Sequence, residues 1–358
     1  MVPRDRDQAA APMARSVLGD VPAGELGIVL PHEHVFADWR AIWALPGATG
    51  EVVSLANREA VAKNPTAYPD CLVLEDVELA ISELREFKND GGGGIADVTP
   101  ECVGRKPAEL AEVARATGLH VIAGCGQYVE RAHAPRMQHI SVEALAEELV
   151  ENVTVGLDGS GVRAGIIGEI GTSDPVTPNE RKALAAAAVA QQATGCAITV
   201  HVHMGARTGH EILSLIEAAG GDVSRVVLGH LDVHLSRDFD PDSAVSHHRE
   251  LAERGCFVEY DLCGFEEFVQ LPSGQSYHHA TDEARADAVM RLVELGHSSR
   301  LLLSHDVGKK IQLKRFGGPG YSHTITTFKE RLQALGLPDE VVRQIYELNP
   351  QRMLSVAV

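Results

Sequence analysis

The sequence predicts an α/β chain folded as a single (β/α)8 TIM barrel. Three observations carry that prediction: eight short apolar runs, helical periodicity between them, and a spacing suited to βα units. The runs occupy residues 26–30, 94–98, 120–123, 164–168, 197–200, 225–228, 256–260 and 300–303. They are continuous rather than alternating, as parallel strands buried on both faces require. Between them, Val77, Ile81 and Leu84 recur at i, i+4, i+7, and Thr177-Pro178-Asn179-Glu180 combines a helix N-cap, a first-turn proline and a capping glutamate. Successive runs start about 25 to 45 residues apart, except for a gap of nearly 70 after the first. An open doubly wound sheet is the rival, but it gives no reason for eight repeats.

One barrel over 16–358 follows, with residues 1–15 as a disordered or peripheral arm. The long first connection, 35–91, holds Trp39 and Trp43 and is expected to lie over the barrel mouth as a loop with short helices. The glycine run at 91–94 reads as a tight turn between a helix and a strand.

Composition narrows the partners. The 358 residues carry 32 basic and 50 acidic side chains, a net charge of −18, with no basic block, so a nucleic-acid partner is not expected. The six cysteines are scattered without a CxxC pair, which predicts reduced thiols and a cytoplasmic setting. The first 16 residues lack the apolar stretch of a signal peptide, and no run approaches the roughly 18 apolar residues of a membrane span. A small-molecule partner is left. Histidine, at 17 residues, is the abundant chemistry-bearing type.

The active site of such a barrel lies at the C-terminal ends of its strands. The first run leads into Pro31-His32-Glu33-His34, where extended alternation puts His32 and His34 on one side, able to grip one ion, and Glu33 on the other. The fourth ends in Gly168-Glu169-Ile170-Gly171, the fifth in Val200-His201-Val202-His203, the sixth in Gly229-His230 and the eighth in Ser304-His305-Asp306. Each has a plain alternative. Glu169 could pair with an arginine, His201 or His203 could be a hydrogen-bonded interior histidine, and Asp306 could cap a helix. Five strands ending in a metal-competent side chain outweigh those alternatives. Four histidines, one carboxylate placed to bridge and a terminal aspartate suit two divalent ions sharing a carboxylate and a hydroxide. On spacing alone, His201 and His203 are both candidates.

These motifs resemble the phosphotriesterase family of the amidohydrolase superfamily. The resemblance extends to Gly24-Glu25-Leu26-Gly27 before the first strand, the loop Gly317-Gly318-Pro319-Gly320-Tyr321-Ser322-His323 and the tail Asn349-Pro350-Gln351-Arg352, in order across nearly the whole chain. It implies that His32, His34 and Asp306 hold the buried ion, that His201 and His230 hold the more exposed one, and that Glu169 bridges them. The best-known members have a carboxylated lysine at that bridge; a subgroup resembles this chain in having glutamate. The resemblance also implies a homodimer and gives Asp306 a second role, as the catalytic base that takes a proton when the hydroxide attacks. Zinc is the expected metal, although His and carboxylate ligands suit manganese, cobalt or iron as well.

For substrate, Tyr128 stands where lactonases of this family place an orienting tyrosine, its plain reading being a packed rim aromatic. His203 is expected behind the metal ligands or facing substrate. Lys309, with Lys310, Lys314 and Arg315, forms a basic cluster after the eighth strand, either a solvated face or a site for an anionic substrate group. The arginine that lactonases of acyl-homoserine lactones carry near position 262 is a leucine here. The leading expectation is hydrolysis of a lactone or carboxylic ester, with weak phosphotriesterase activity. Its alternatives are hydrolysis of a small N-acyl amide and a catalytically idle ligand-binding barrel; the complete ligand set argues against the last.

Overall fold

The computed structural model describes residues 11–270 and 276–356. The apolar runs become eight parallel strands: β1 (Ile28–Glu33), β2 (Gly92–Asp97), β3 (His120–Cys125), β4 (Ala164–Gly171), β5 (Ile198–His201), β6 (Val226–Gly229), β7 (Phe257–Tyr260) and β8 (Leu301–Leu303). Each strand pairs with the next in sequence. The barrel closes just beyond β8, where His34 N donates to Val307 O at 3.2 Å and Asp306 N to His32 O at 3.3 Å.

The helices that follow or precede the strands on the outside include α1 (Val77–Asn89), α2 (Pro107–Thr117), α3 (Val142–Thr154), α4 (Pro178–Thr194), α5 (Gly209–Ala218), α6 (Pro241–Glu253) and α7 (Asp282–Glu294). The predicted capping box starts α4: Thr177 Oγ1 accepts from Glu180 N at 3.3 Å, and the Glu180 carboxylate accepts from Thr177 N at 2.9 Å. Buried alanines 183, 186, 187 and 190 let this helix lie close to the sheet.

Inside the barrel, Val29, Ala96, Ile122, Ile166, Ala197, Val227, Phe257 and Leu302 form an apolar floor, one residue from each strand except that Ala197 directly precedes β5. Strand alternation carries the inward direction onward, so Thr199 and His201, Glu259 and Asp261, and Ser304 and Asp306 follow two and four residues later toward the mouth. Polar chemistry therefore sits on a dry base.

Below the floor, strands Met13–Ser16, Gly19–Pro22 and Ser355–Val356 form a small antiparallel sheet, with Met13 opposite Val356. Residues 13–15, expected in the arm, thus belong to a strand that residues 11–12 lead into, and residues 1–10 lie outside the described residues. The expectation for the glycine run is corrected in part. Only Gly91, at φ +104°, serves the turn, and residues 92–94 already belong to β2. A Cβ on Gly93 would lie 2.1 Å from the Leu26 carbonyl oxygen, so close backbone approach explains that glycine. The first connection contains a two-stranded pairing of Ala37–Asp38 with Val73–Leu74 and short helices at Arg40–Trp43 and Arg58–Lys63. All six cysteines are free thiols, and among the described residues no helix is long and apolar enough to cross a membrane.

Candidate active site

The strand ends bring His32, His34, Glu169, His201, His230 and Asp306 together at the mouth. His201 Nδ1 lies 2.7 Å from His230 Nε2 and 3.0 Å from Glu169 Oε1, while His230 Nε2 is 3.4 Å from the same oxygen. On the deeper side, His34 Nε2 is 3.1 Å from Asp306 Oδ1, and His32 Nε2 is 3.4 Å from Glu169 Oε1. Glu169 therefore faces both histidine pairs. His230 and Asp306 reach inward from left-handed backbone, at φ +60° and +53°.

Outer partners orient the rings. His230 Nδ1 contacts Asp261 Oδ1 at 2.9 Å, His32 Nδ1 contacts Glu259 Oε2 at 3.1 Å, and His34 Nδ1 contacts Thr99 Oγ1 at 2.8 Å. With Nδ1 engaged in each case, Nε2 faces the centre, the arrangement that orients metal-binding histidines. Two of these inward atoms, His32 Nε2 and Glu169 Oε2, are buried with no hydrogen-bond partner among the described residues. Orphaned nitrogen and carboxylate donors aimed at one point fit divalent cations, and Lewis-basic triads of this kind include His32, His34 and Asp306, and His32, Glu169 and His230.

Charge agrees. Glu169, Glu259 and Asp261 are almost wholly buried. Although burial opposes it, His201 and then His230 and His32 hold Glu169 well below the usual carboxylate range. Burial likewise opposes protonation of His32 and His230, yet Asp261 foremost among the acids raises both well above the ordinary imidazole value. His201 moves the other way, lowered by burial and by His230. An acidic interior that draws protons onto its imidazoles is one that bound cations would neutralise.

The cavity above the cluster has a volume of about 110 Å³ and is lined by Trp39, Trp43, Tyr128, His203, Met204 and Lys309 among others. A single water needs roughly 10–15 Å³ on that measure, so a compact organic molecule fits. Tyr128 is buried, with its hydroxyl 3.4 Å from His201 Nδ1 and its ring against Trp39. His203 Nδ1 is buried without a partner among the described residues. The basic cluster separates. Lys310 pairs with Asp70 at 2.6 Å and Lys314 with Glu86 at 2.9 Å, and the Arg315 amide donates to Glu83. Lys309 forms no ion pair among the described residues and lines the cavity, its charge offsetting part of the burial effect that raises Glu267.

Two residues that line the barrel beneath the ligands escaped the sequence reading, Glu259 and Asp261. His305, next to Asp306 in the chain, is occupied by structure: Nδ1 contacts Glu33 Oε1 at 2.8 Å, and Nε2 accepts from Thr324 N at 2.9 Å. His323 contacts Asp282 at 2.6 Å.

Fold and site together define a hydrolase built on a TIM barrel. The chain belongs to the phosphotriesterase family, whose model matches residues 12–354. It is 34% identical to the N-acetyltaurine hydrolase of Rattus norvegicus over 95% of this chain and 97% of that protein. Among solved structures, a resiniferatoxin-binding protein from Rhodobacter sphaeroides has a TM-score of 0.90 and 32% identity, covering 96% of this chain and 95% of that one. A mutant of a Deinococcus radiodurans PTE-like lactonase has a TM-score of 0.72 and 29% identity, covering 96% and 100%.

Proposed function

We propose that this chain is a binuclear metal-dependent amidase that hydrolyses a small N-acyl compound bearing an anionic group, of the N-acetyltaurine kind. The observation that carries this reading is the placement of Lys309, the one Lys or Arg among the described residues that lines a compact cavity whose floor is the donor cluster. The N-acetyltaurine hydrolases that resemble the chain support the same substrate class.

In this reading His32, His34 and Asp306 would hold one ion and His201 and His230 the other, with Glu169 as the shared carboxylate ligand. Zinc suits that donor set. The ions would supply an acidified water and polarise the substrate carbonyl. Asp306, with its carboxylate partly exposed to the cavity, accepts the proton of the attacking water and passes it to the amide nitrogen as the C–N bond breaks. A carboxylate and an amine leave. Tyr128 orients the carbonyl beside His201, and Lys309 pairs with the anionic end. Trp39, Trp43 and Met204 form an apolar wall that limits the acyl group and excludes water.

A lactonase reading uses the same donors and is favoured by Tyr128 at the cavity wall. The two are separated by assaying zinc- or manganese-loaded protein against N-acetyltaurine, N-acetyl amino acids, neutral N-acetyl alkylamines, γ- and δ-lactones, aryl esters and a phosphotriester. The amidase reading expects the highest kcat/KM with an anionic N-acetyl amide. Lactones turned over more than tenfold better than every amide would replace it.

A further inference from the structure

A second cluster of imidazoles lies outside the barrel mouth, between α5 and α6. His210 belongs to the first turn of α5, while His247 and Glu250 are three residues apart on α6, a spacing that puts both on one helix face. One ligand-competent atom from each of the three lies within 4.8 Å of the other two. His210 Nε2 and Glu250 Oε2 are 3.6 Å apart. That is too long for a hydrogen bond, yet close to the roughly 3.4 Å between two ligand atoms around a tetrahedral ion with bonds of about 2.1 Å. His247 is only 8% exposed, and its Nε2 is buried without a partner among the described residues.

The surroundings bear on which ligand would enter. Burial first, then the charges of His210 and Arg207, pushes His247 down to about 4, so at neutral pH its ring is uncharged and needs no deprotonation to coordinate. Arg207 is the opposing charge; it is tethered to Ser243 Oγ at 2.7 Å, and Glu250 supplies a carboxylate against it. The His210 and Glu250 side chains are 42% and 48% exposed, which leaves an approach from solvent.

We propose that His210, His247 and Glu250 form a further metal site, taking a divalent transition ion of the zinc kind with water completing the coordination. Two imidazoles and one carboxylate match zinc, nickel or copper; calcium and magnesium call for six or more oxygen ligands. An ion there would fasten α5 to α6 on the outer wall, away from the hydrolytic centre.

The test compares wild-type protein with the His210→Ala/Glu250→Gln double variant, His210 being half-buried and Glu250 exposed. Each is loaded with zinc, dialysed against buffer holding micromolar free zinc, and analysed for metal by mass spectrometry alongside kcat/KM and thermal unfolding. The wild type is expected to retain one more equivalent of zinc per chain, with equal kcat/KM, and added zinc should raise its Tm more than the variant's. Equal metal content in the two proteins overturns the proposal, and so does a lower content in the variant that comes with lost activity, since the missing ion would then belong to the barrel mouth.

Discussion

The Asp261 carboxylate grips His230 at two points, Oδ1 meeting Nδ1 at 2.9 Å and Oδ2 accepting from the backbone amide at 3.0 Å. Neither atom of Asp261 need touch a substrate for this to matter. Outer partners of this kind are worth about 10- to 100-fold in metal affinity. Asp261→Ala is therefore expected to weaken metal retention by that factor, read by competition with a chromophoric chelator, and excess metal should restore much of the lost turnover. Unchanged metal affinity would remove Asp261 from any positioning role.

Lys309 offers a split between substrates. A charged hydrogen bond lost from a partly buried site costs about 1.5 to 3 kcal/mol, roughly tenfold or more in binding. Lys309→Met should raise KM by that order for a sulfonate- or carboxylate-bearing N-acetyl amide, while a neutral N-acetyl alkylamine is turned over as before. An equal loss on both substrates would mean that Lys309 only shapes the loop.

Arg285 is fully buried and joins the loops after β6 and β7: it donates to Asp232 at 2.6 Å, to Asp282 at 2.9 Å and to the Phe265 carbonyl at 2.9 Å. Removing one partner of a buried ion pair leaves uncompensated charge and costs about 3 to 5 kcal/mol. Urea unfolding of Arg285→Met should show that loss. A change under about 1 kcal/mol would mean that water reaches the carboxylates.

The acid limb of stability should come from neutral histidines. His234 and His248 are in contact at 3.2 Å; burial, then His247, pushes His234 down to about 4, and burial followed by His234 holds His248 well below the ordinary 6.5. As pH falls below about 6.5 the unfolded chain binds protons that the folded chain refuses, so stability drops progressively between about pH 6.5 and pH 4. A loss on the order of 2 kcal/mol by pH 5 is expected from chemical unfolding. The double variant His234→Asn/His248→Gln should flatten that slope, and a slope that persists unaltered would place the titration elsewhere.

Much of this was legible before any coordinates. The barrel could be read because β-branched and leucine-rich strands repeat between helices, and the strand ends could be read because a side chain such as His230 or Asp306 stands two or three positions beyond the end of an apolar run. Glu259 and Asp261 were missed for a physical reason. In sequence they flank Tyr260 as an ordinary polar interruption, and only the inward phase set by Phe257 reveals that both face the barrel interior. Acidic residues at i, i+2 within an otherwise apolar strand were the available signal. The separation of Lys309 from Lys310 and Lys314 was not legible, because it depends on Asp70 and Glu86, more than 200 residues away in the chain. The sheet that pairs Met13 with Val356 was hidden likewise, since its strands are too short to carry a pattern.

His230 and Asp306 occupy left-handed backbone, a conformation that costs a residue with a side chain about 1 to 2 kcal/mol relative to the right-handed form. Glycine adopts it freely. At 230 the buried pairing with Asp261 outweighs that cost, whereas at 306, whose carboxylate is partly exposed, durability and chemistry compete for one position. A laboratory selection for heat tolerance alone would drift toward glycine at 306 and recover sturdier, inert barrels, so any thermostabilising campaign on this scaffold must screen turnover at every round.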